Sequence, residues 1–183
     1  SPATLPDRLP GRGRDAAVTP RMRFWVGLLV LAAGAAVIRI VGLGDLPAGL
    51  FCDEAGLGYN AYSLLHSGRD ETGAAWPLYI WSFGVSYKNP IFIYSAMLPV
   101  GLFGLSEFSV RLTSALYGVA TVLGIGLLGR IAFGAAGGLI AALLLAVVPW
   151  HVHFSRIAFE LITFPALFVF AFAALAAGVR GRP

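Results

Sequence analysis

Apolar residues run along this chain in long blocks, and polar residues gather in the gaps between them. Residues 24–43 form an apolar stretch of about the 20 residues that a spanning helix needs. Similar stretches at 112–129, 135–148 and 162–179 predict three more spans. A shorter apolar run, Pro90 to Leu105, is interrupted by Pro99 and is short for a crossing, so it reads as a helix in the membrane surface or a fifth span. Gly134, Gly137 and Gly138 open the third span, where small residues permit close helix packing.

Residues 44–111 form the one long polar and aromatic interval. Within it, Asp53 to His66 has the spacing of a short amphipathic helix. Asp53 is placed to cap its start, Leu57, Ala61, Leu64 and Leu65 form its apolar stripe, and Gly68 stops it. Trp76, Tyr79, Trp81 and Tyr87 follow, residue types enriched where a membrane meets water. The first 23 residues are rich in Pro, Gly and Arg and read as a disordered cytoplasmic tail, and 180–183 as a second cytoplasmic end. The fold class expected is all-α: a polytopic transmembrane helical bundle, with juxtamembrane amphipathic helices in its first extracytoplasmic loop.

Composition points the same way. Of 183 residues, 58% are hydrophobic and 12% charged, with a mean hydropathy of +0.80. Soluble domains carry about 25% charged residues, so bilayer is the expected solvent. The net charge of +4 does not point to nucleic acid, because the basic residues cluster beside apolar segments. Their placement orients the chain. With Pro90 to Leu105 on the outer surface, eight Arg and Lys lie inside and four outside, with Arg39 within a span; with that run crossing, the split is seven against five. The first arrangement obeys the positive-inside rule better and gives four spans. Arg39, one turn from the outer end of its span, either snorkels outward or faces a polar interior. The single cysteine, Cys52, allows no intrachain disulfide, and Gly49, Leu50 and Phe51 before it do not fit a lipoprotein cleavage site.

That topology gathers three polar groups on one side: Asp53 and Glu54, Lys88, and the segment from His151 to Glu160. An acidic pair at a lipid boundary is a candidate general base, although Asp53 and Glu54 also suit a helix start. Lys88 and Arg156 flank apolar segments at headgroup depth, where two cations can bind a lipid phosphate and stabilise it as it leaves. His151 and His153, at i and i+2 without a third ligand nearby, do not make a metal site. No cofactor motif is evident, and a divalent cation is left open.

The runs GLFCDEAGLGYNAYSLLHSGRDETG, PLYIWSFG, YKNPIFIYSAMLPVGLFGLSEFSVRLTSAL and PWHVHFSRIAFE together resemble the start of the GT-C membrane glycosyltransferases. The similarity is to the protein O-mannosyltransferase and aminoarabinose transferase branch, often described as dolichyl-phosphate-mannose-protein mannosyltransferase-like, and spans roughly Phe24 to Val179. It implies an enzyme of the cell envelope that moves a sugar from a polyprenyl-phosphate donor to an acceptor hydroxyl (on protein, lipid or glycan) at the outer face of the plasma membrane. It implies Asp53 as catalytic base with Glu54 as its partner, and Lys88 and Arg156 as phosphate ligands. Tyr59, Asn60, His153 and Glu160 are supporting positions within the same runs. Asn89 stands where that branch has the first Pro of a Lys-Pro-Pro-Leu-like run, which alters the local geometry more than the charge. Relatives continue through further helices, so the 183 residues are expected to be a fragment or a truncated form, lacking part of the donor and acceptor site. The competing expectation is a non-catalytic membrane module: a transporter or flippase fragment, or a scaffold subunit. Transporters, however, place their polar groups at the bilayer midplane, and here those groups gather at one surface.

Overall fold

The computed structural model describes residues 19–84 and 86–181. Helix α1 (Pro20–Ile40) begins with Pro in its first turn, where the missing N–H costs nothing, and Thr19 Oγ1 accepts the Met22 N–H at 3.3 Å. The start therefore lies earlier than the apolar run predicts. Arg21 and Arg23 belong to the helix and not to a tail, and residues 1–18 lie outside the described residues.

Helix α2 (Cys52–Ser67) buries Leu57, Ala61 and Leu64 and ends at Gly68, whose φ of +67° is a left-handed stop that favours glycine. Two expectations are corrected here. Leu65 is exposed, and the helix cap is Phe51, not Asp53. The carboxylate of Glu54 reaches back to the Phe51 N–H at 3.0 Å, so the acid that serves the helix start is the second of the pair.

Strands β1 (Ile80–Ser82) and β2 (Ser86–Lys88) form an antiparallel hairpin that the sequence reading leaves as loop. Each strand has three residues, too few for alternation to stand out from an aromatic-rich run. Helix α3 (Pro90–Phe103) follows, capped by Asn89, whose side chain accepts the Ile91 N–H at 2.9 Å.

Helix α4 runs over Glu107–Val147 but doubles back at Gly134, which has a φ of +80°. The return is visible in the packing: Gly126 lies against Ala142 and Gly129 against Gly138. In a continuous helix, residues 126 and 142 would stand about 24 Å apart. Helix α5 (Pro149–Phe154), a 3-10 turn (Glu160–Ile162) and α6 (Thr163–Arg180) complete the chain. Helices α1 and α6 both pack on α4.

The result is a helical bundle with two cores. One, around Phe24, Leu28, Ala35, Val122, Ala142 and Ala146, joins α1 to both arms of α4. The other joins α2, α3 and the 3-10 turn through Leu57, Phe92, Ile93 and Ile162. Three helical segments, 20–40, 107–147 and 160–180, are long and apolar enough to cross a membrane, yet at most 28% of the most apolar stretch of each is buried in the chain. So much exposed apolar surface requires lipid, and the protein is an integral membrane helical bundle.

Contacts at the two ends of the bundle show how the arms are arranged. At one end the Arg130 guanidinium lies 4.4 Å from the ring centre of Phe24. At the other, Arg39 Nη1 donates to the Ala146 carbonyl at 3.1 Å and Arg111 Nη1 to the Leu43 carbonyl at 3.3 Å. Snorkelling of Arg39 is thereby corrected: the side chain is fully buried, held by the carbonyls of Ala35, Leu145 and Ala146 and by His151 Nδ1 at 3.0 Å.

The hairpin of α4 depends on small residues. A Cβ at Gly138 would lie 2.5 Å from the Gly126 carbonyl oxygen and 2.8 Å from the Arg130 nitrogen, both backbone atoms that cannot step aside. Gly138→Leu is expected to force the arms apart at a cost of at least about 1–3 kcal/mol. The check is a lower midpoint of thermal unfolding in detergent, against an unchanged midpoint for Gly34→Ala, where a Cβ meets nothing within 4 Å.

Candidate functional site

Asp53 and Glu54 sit side by side in the first turn of α2, and successive residues of a helix point about 100° apart. They therefore face different surroundings. Glu54 turns inward and is 4% exposed. Its Oε1 accepts Arg111 Nε at 2.9 Å and the Ala158 N–H at 2.7 Å, and its Oε2 accepts Arg111 Nη2 at 3.1 Å and the Phe51 N–H at 3.0 Å. Arg111 uses its remaining donors on the carbonyls of Leu43, Pro47 and Gly49. One buried pair thus ties together the 43–49 loop, α2, α4 and the segment after α5.

Burial alone raises the Glu54 carboxyl pKa. The hydrogen bonds from Arg111, Ala158 and Phe51, with the charge of Arg111, outweigh it and hold the group below the usual carboxylate range.

Asp53 turns outward. Its Oδ1 receives Lys88 Nζ at 2.7 Å, with the Asp53 side chain 41% and the Lys88 side chain 9% exposed. Lys88 reaches it because β2 ends there and because the next residue is anchored twice. The Asn89 N–H donates to the Glu160 carboxylate, and its side-chain amide donates to Thr163 Oγ1 at 2.9 Å. Asp53 also lines a cleft of about 460 Å³ whose walls include Pro47–Phe51, Phe154 and Ile157–Phe159. Apolar and aromatic walls with a carboxylate at the edge suit a ligand with both a greasy and a polar part.

Other expected residues have different partners. Glu54 is held by Arg111 and backbone N–H groups. The terminal nitrogens of Arg156 donate to the carbonyls of Ile38, Arg39, Val41, Gly42 and Leu46, which closes the end of α1 and occupies the cation expected to face a phosphate. Asn60 is buried and exchanges hydrogen bonds with Glu71, at 2.9 Å to its carboxylate and 3.0 Å from its N–H. Tyr59 is exposed, and His153 is exposed against the edge of Phe154. His151 lies apart from His153, buried on Arg39; burial and then the Arg39 charge lower its pKa to about 4, so it is neutral at ordinary pH.

Two residues that matter, Arg111 and Glu71, have no individual role in the sequence reading, and Arg39 is read there only as snorkelling outward or facing a polar interior. Glu71 accepts from Asn60, from Ser82 Oγ at 3.2 Å and from the Phe83 N–H, and so fastens the hairpin to α2. A signal existed for Arg111: a cation four residues into an apolar helix needs a buried partner, and the first loop carries an acidic pair.

A sequence model of the dolichyl-phosphate-mannose-protein mannosyltransferase family matches residues 87–181, just over half of the chain. The chain belongs to this mannosyltransferase family. The protein is therefore of the membrane glycosyltransferase type, and the family implies a polyprenyl-phosphate-linked sugar donor. The matched part of the mannosyltransferase sequence contains Lys88, Arg111, Arg156 and Glu160, and begins after Asp53 and Glu54. No curated protein and no solved structure matches the chain.

The Glu54–Arg111 pair carries a pH prediction with a definite sign. A carboxylate held below its unfolded pKa contributes stability that is present above the unfolded value and lost as pH falls through the folded one. Wild-type protein is therefore expected to lose thermal stability on the acid side. Glu54→Gln is expected to start lower and to have a flatter acid limb. Arg111→Met, which strands the carboxylate, is expected to cost about 3–5 kcal/mol at neutral pH. Unfolding midpoints measured between neutral and acid pH check all three.

Proposed function

We propose that this protein transfers a sugar from a polyprenyl-phosphate carrier to an acceptor hydroxyl at the extracytoplasmic face of the membrane. The carrying observation is that Asp53, which lines the aromatic-walled cleft, is paired with Lys88. In this reading the bundle crosses the bilayer four times: α1, the two arms of α4, and α6. The ends holding Asp53, Lys88 and Arg156 then lie outside, and those holding Arg130 and Arg180 inside, as the positive-inside rule requires.

Lys88 binds the carrier phosphate by charge-assisted hydrogen bonds and stabilises the charge that grows on it. In the structure Lys88 Nζ lies 2.7 Å from Asp53 Oδ1. Arrival of the phosphate gives the ammonium a second anion and loosens its hold on the carboxylate. Asp53 then accepts the proton of the acceptor hydroxyl as its oxygen attacks the anomeric carbon. The carbon–oxygen bond to the phosphate breaks, and the bonding pair leaves with the lipid phosphate. Attack from the side opposite the leaving group inverts the anomeric centre. Arg156 acts one step removed, by fixing the 38–46 segment that leads into the Pro47–Phe51 wall of the cleft. Glu160 acts likewise, by holding Asn89 next to Lys88.

Asp53→Asn in the intact enzyme is expected to reduce transfer by about 10²–10⁴-fold while leaving membrane insertion and thermal stability unchanged. Wild-type turnover by that variant removes Asp53 from the mechanism. Sidedness is checked separately. In a Cys52→Ser background, single cysteines at positions 53, 88 and 156 are expected to react with a membrane-impermeant thiol reagent from outside. Labelling of position 156 only from the cytoplasm would split the site across the bilayer.

A further inference from the structure

The hairpin that delivers Lys88 has a second face. Pairing sets Trp81 opposite Tyr87 and Ile80 opposite Lys88. Side chains alternate along a strand, so Trp81 and Tyr87 project from the side opposite Lys88, and Tyr79 shares theirs. The inner side holds Ile80, fully buried, and Ser82. On the outer side the Trp81 and Tyr87 rings meet edge-on at 4.8 Å, and those of Tyr79 and Tyr87 at 6.2 Å. Tyr79 and Tyr87 are nonetheless 72% and 65% exposed.

We infer that this aromatic face is a membrane-interface anchor whose partner is the headgroup and upper acyl region of the bilayer. Three observations select that partner. The face carries rings with one polar atom each and no charge, the residue types that settle where hydrocarbon meets water. It points away from Asp53, so it does not serve as a wall of the cleft. It is also held beside the apolar helices. The exit of β2 is fastened to Thr163, the first residue of α6, and Ser95 of α3 is hydrogen-bonded at 2.7 Å to Tyr117, ten residues into α4. Ile91, just past the hairpin, is an exposed apolar residue as well.

The hairpin then works as a float with two sides. Its rings set its height in the lipid, and its inner side presents Lys88 at that height. Nothing in this depends on the chemistry at Asp53.

The test uses the protein in phosphatidylcholine vesicles with Trp25, Trp76 and Trp150 changed to Phe, leaving Trp81 as the reporter. Lipids carrying a nitroxide near the headgroup end of the acyl chain are expected to quench Trp81 severalfold more than lipids carrying it near the chain end. Aqueous iodide is expected to quench weakly. Should the triple variant fold poorly, the quenching lost between wild type and Trp81→Phe gives the same comparison. Strong iodide quenching with none from nitroxide lipid overturns the inference. Protection from both quenchers also overturns it, since a protein surface then covers the face.

Discussion

The structure turns on Arg111 and Glu54. All five guanidinium donors of Arg111 are engaged: two on Glu54 and three on the carbonyls of Leu43, Pro47 and Gly49. Glu54 in turn accepts from Phe51 and Ala158. Two buried charges are costly to bring from water, and such a pair need not stabilise a fold more than apolar residues of the same shape would. Its effect is one of specification. The pair holds four segments distant in sequence in an arrangement that leaves neither charge unpartnered. In that arrangement Asp53, the neighbour of Glu54, is turned out toward the cleft and Lys88.

A second layer of arginine contacts serves the same end of the bundle. Arg39 is wrapped by carbonyls and His151 between α1 and the second arm of α4, and Arg156 gathers the carbonyls where α1 ends. Helix ends leave carbonyls without partners, and near hydrocarbon there is little water to satisfy them. Arginine is suited to that task because it carries several donors in a rigid fork. The same property makes arginine hard to interpret from sequence. A guanidinium waiting for a phosphate and one already holding five carbonyls look identical in one dimension.

The proposed site was legible in unequal parts. Asp53 and Lys88 could be named from the family resemblance, which an acidic pair and a cation near apolar runs accompany, and the structure places them 2.7 Å apart. Arg156, expected as a phosphate ligand, donates in the structure to backbone carbonyls, partners that every residue has and no sequence motif marks. Asn60 was placed in the right run but faces Glu71 rather than the cleft. The roles of Glu54 and Asp53 at the start of α2 were exchanged, since a one-residue step turns a side chain by about 100° and the apolar pattern places a helix boundary only to within a residue or two.

The sequence by itself determined that the chain lives in a bilayer and which long segments are helical. These follow from the length and periodicity of apolar runs, which are local and additive along the chain. Only the tertiary structure decided which carboxylate is buried and which faces the cleft, that α4 folds back with Gly126 and Gly129 against the glycine and alanine of its return arm, and that a three-residue strand aims Lys88 at Asp53. Those outcomes rest on contacts between residues as far as 104 positions apart, such as the Glu54 carboxylate and the Ala158 N–H. They are settled by which buried donors and acceptors can all be satisfied at once, a condition on the whole fold that no single segment contains.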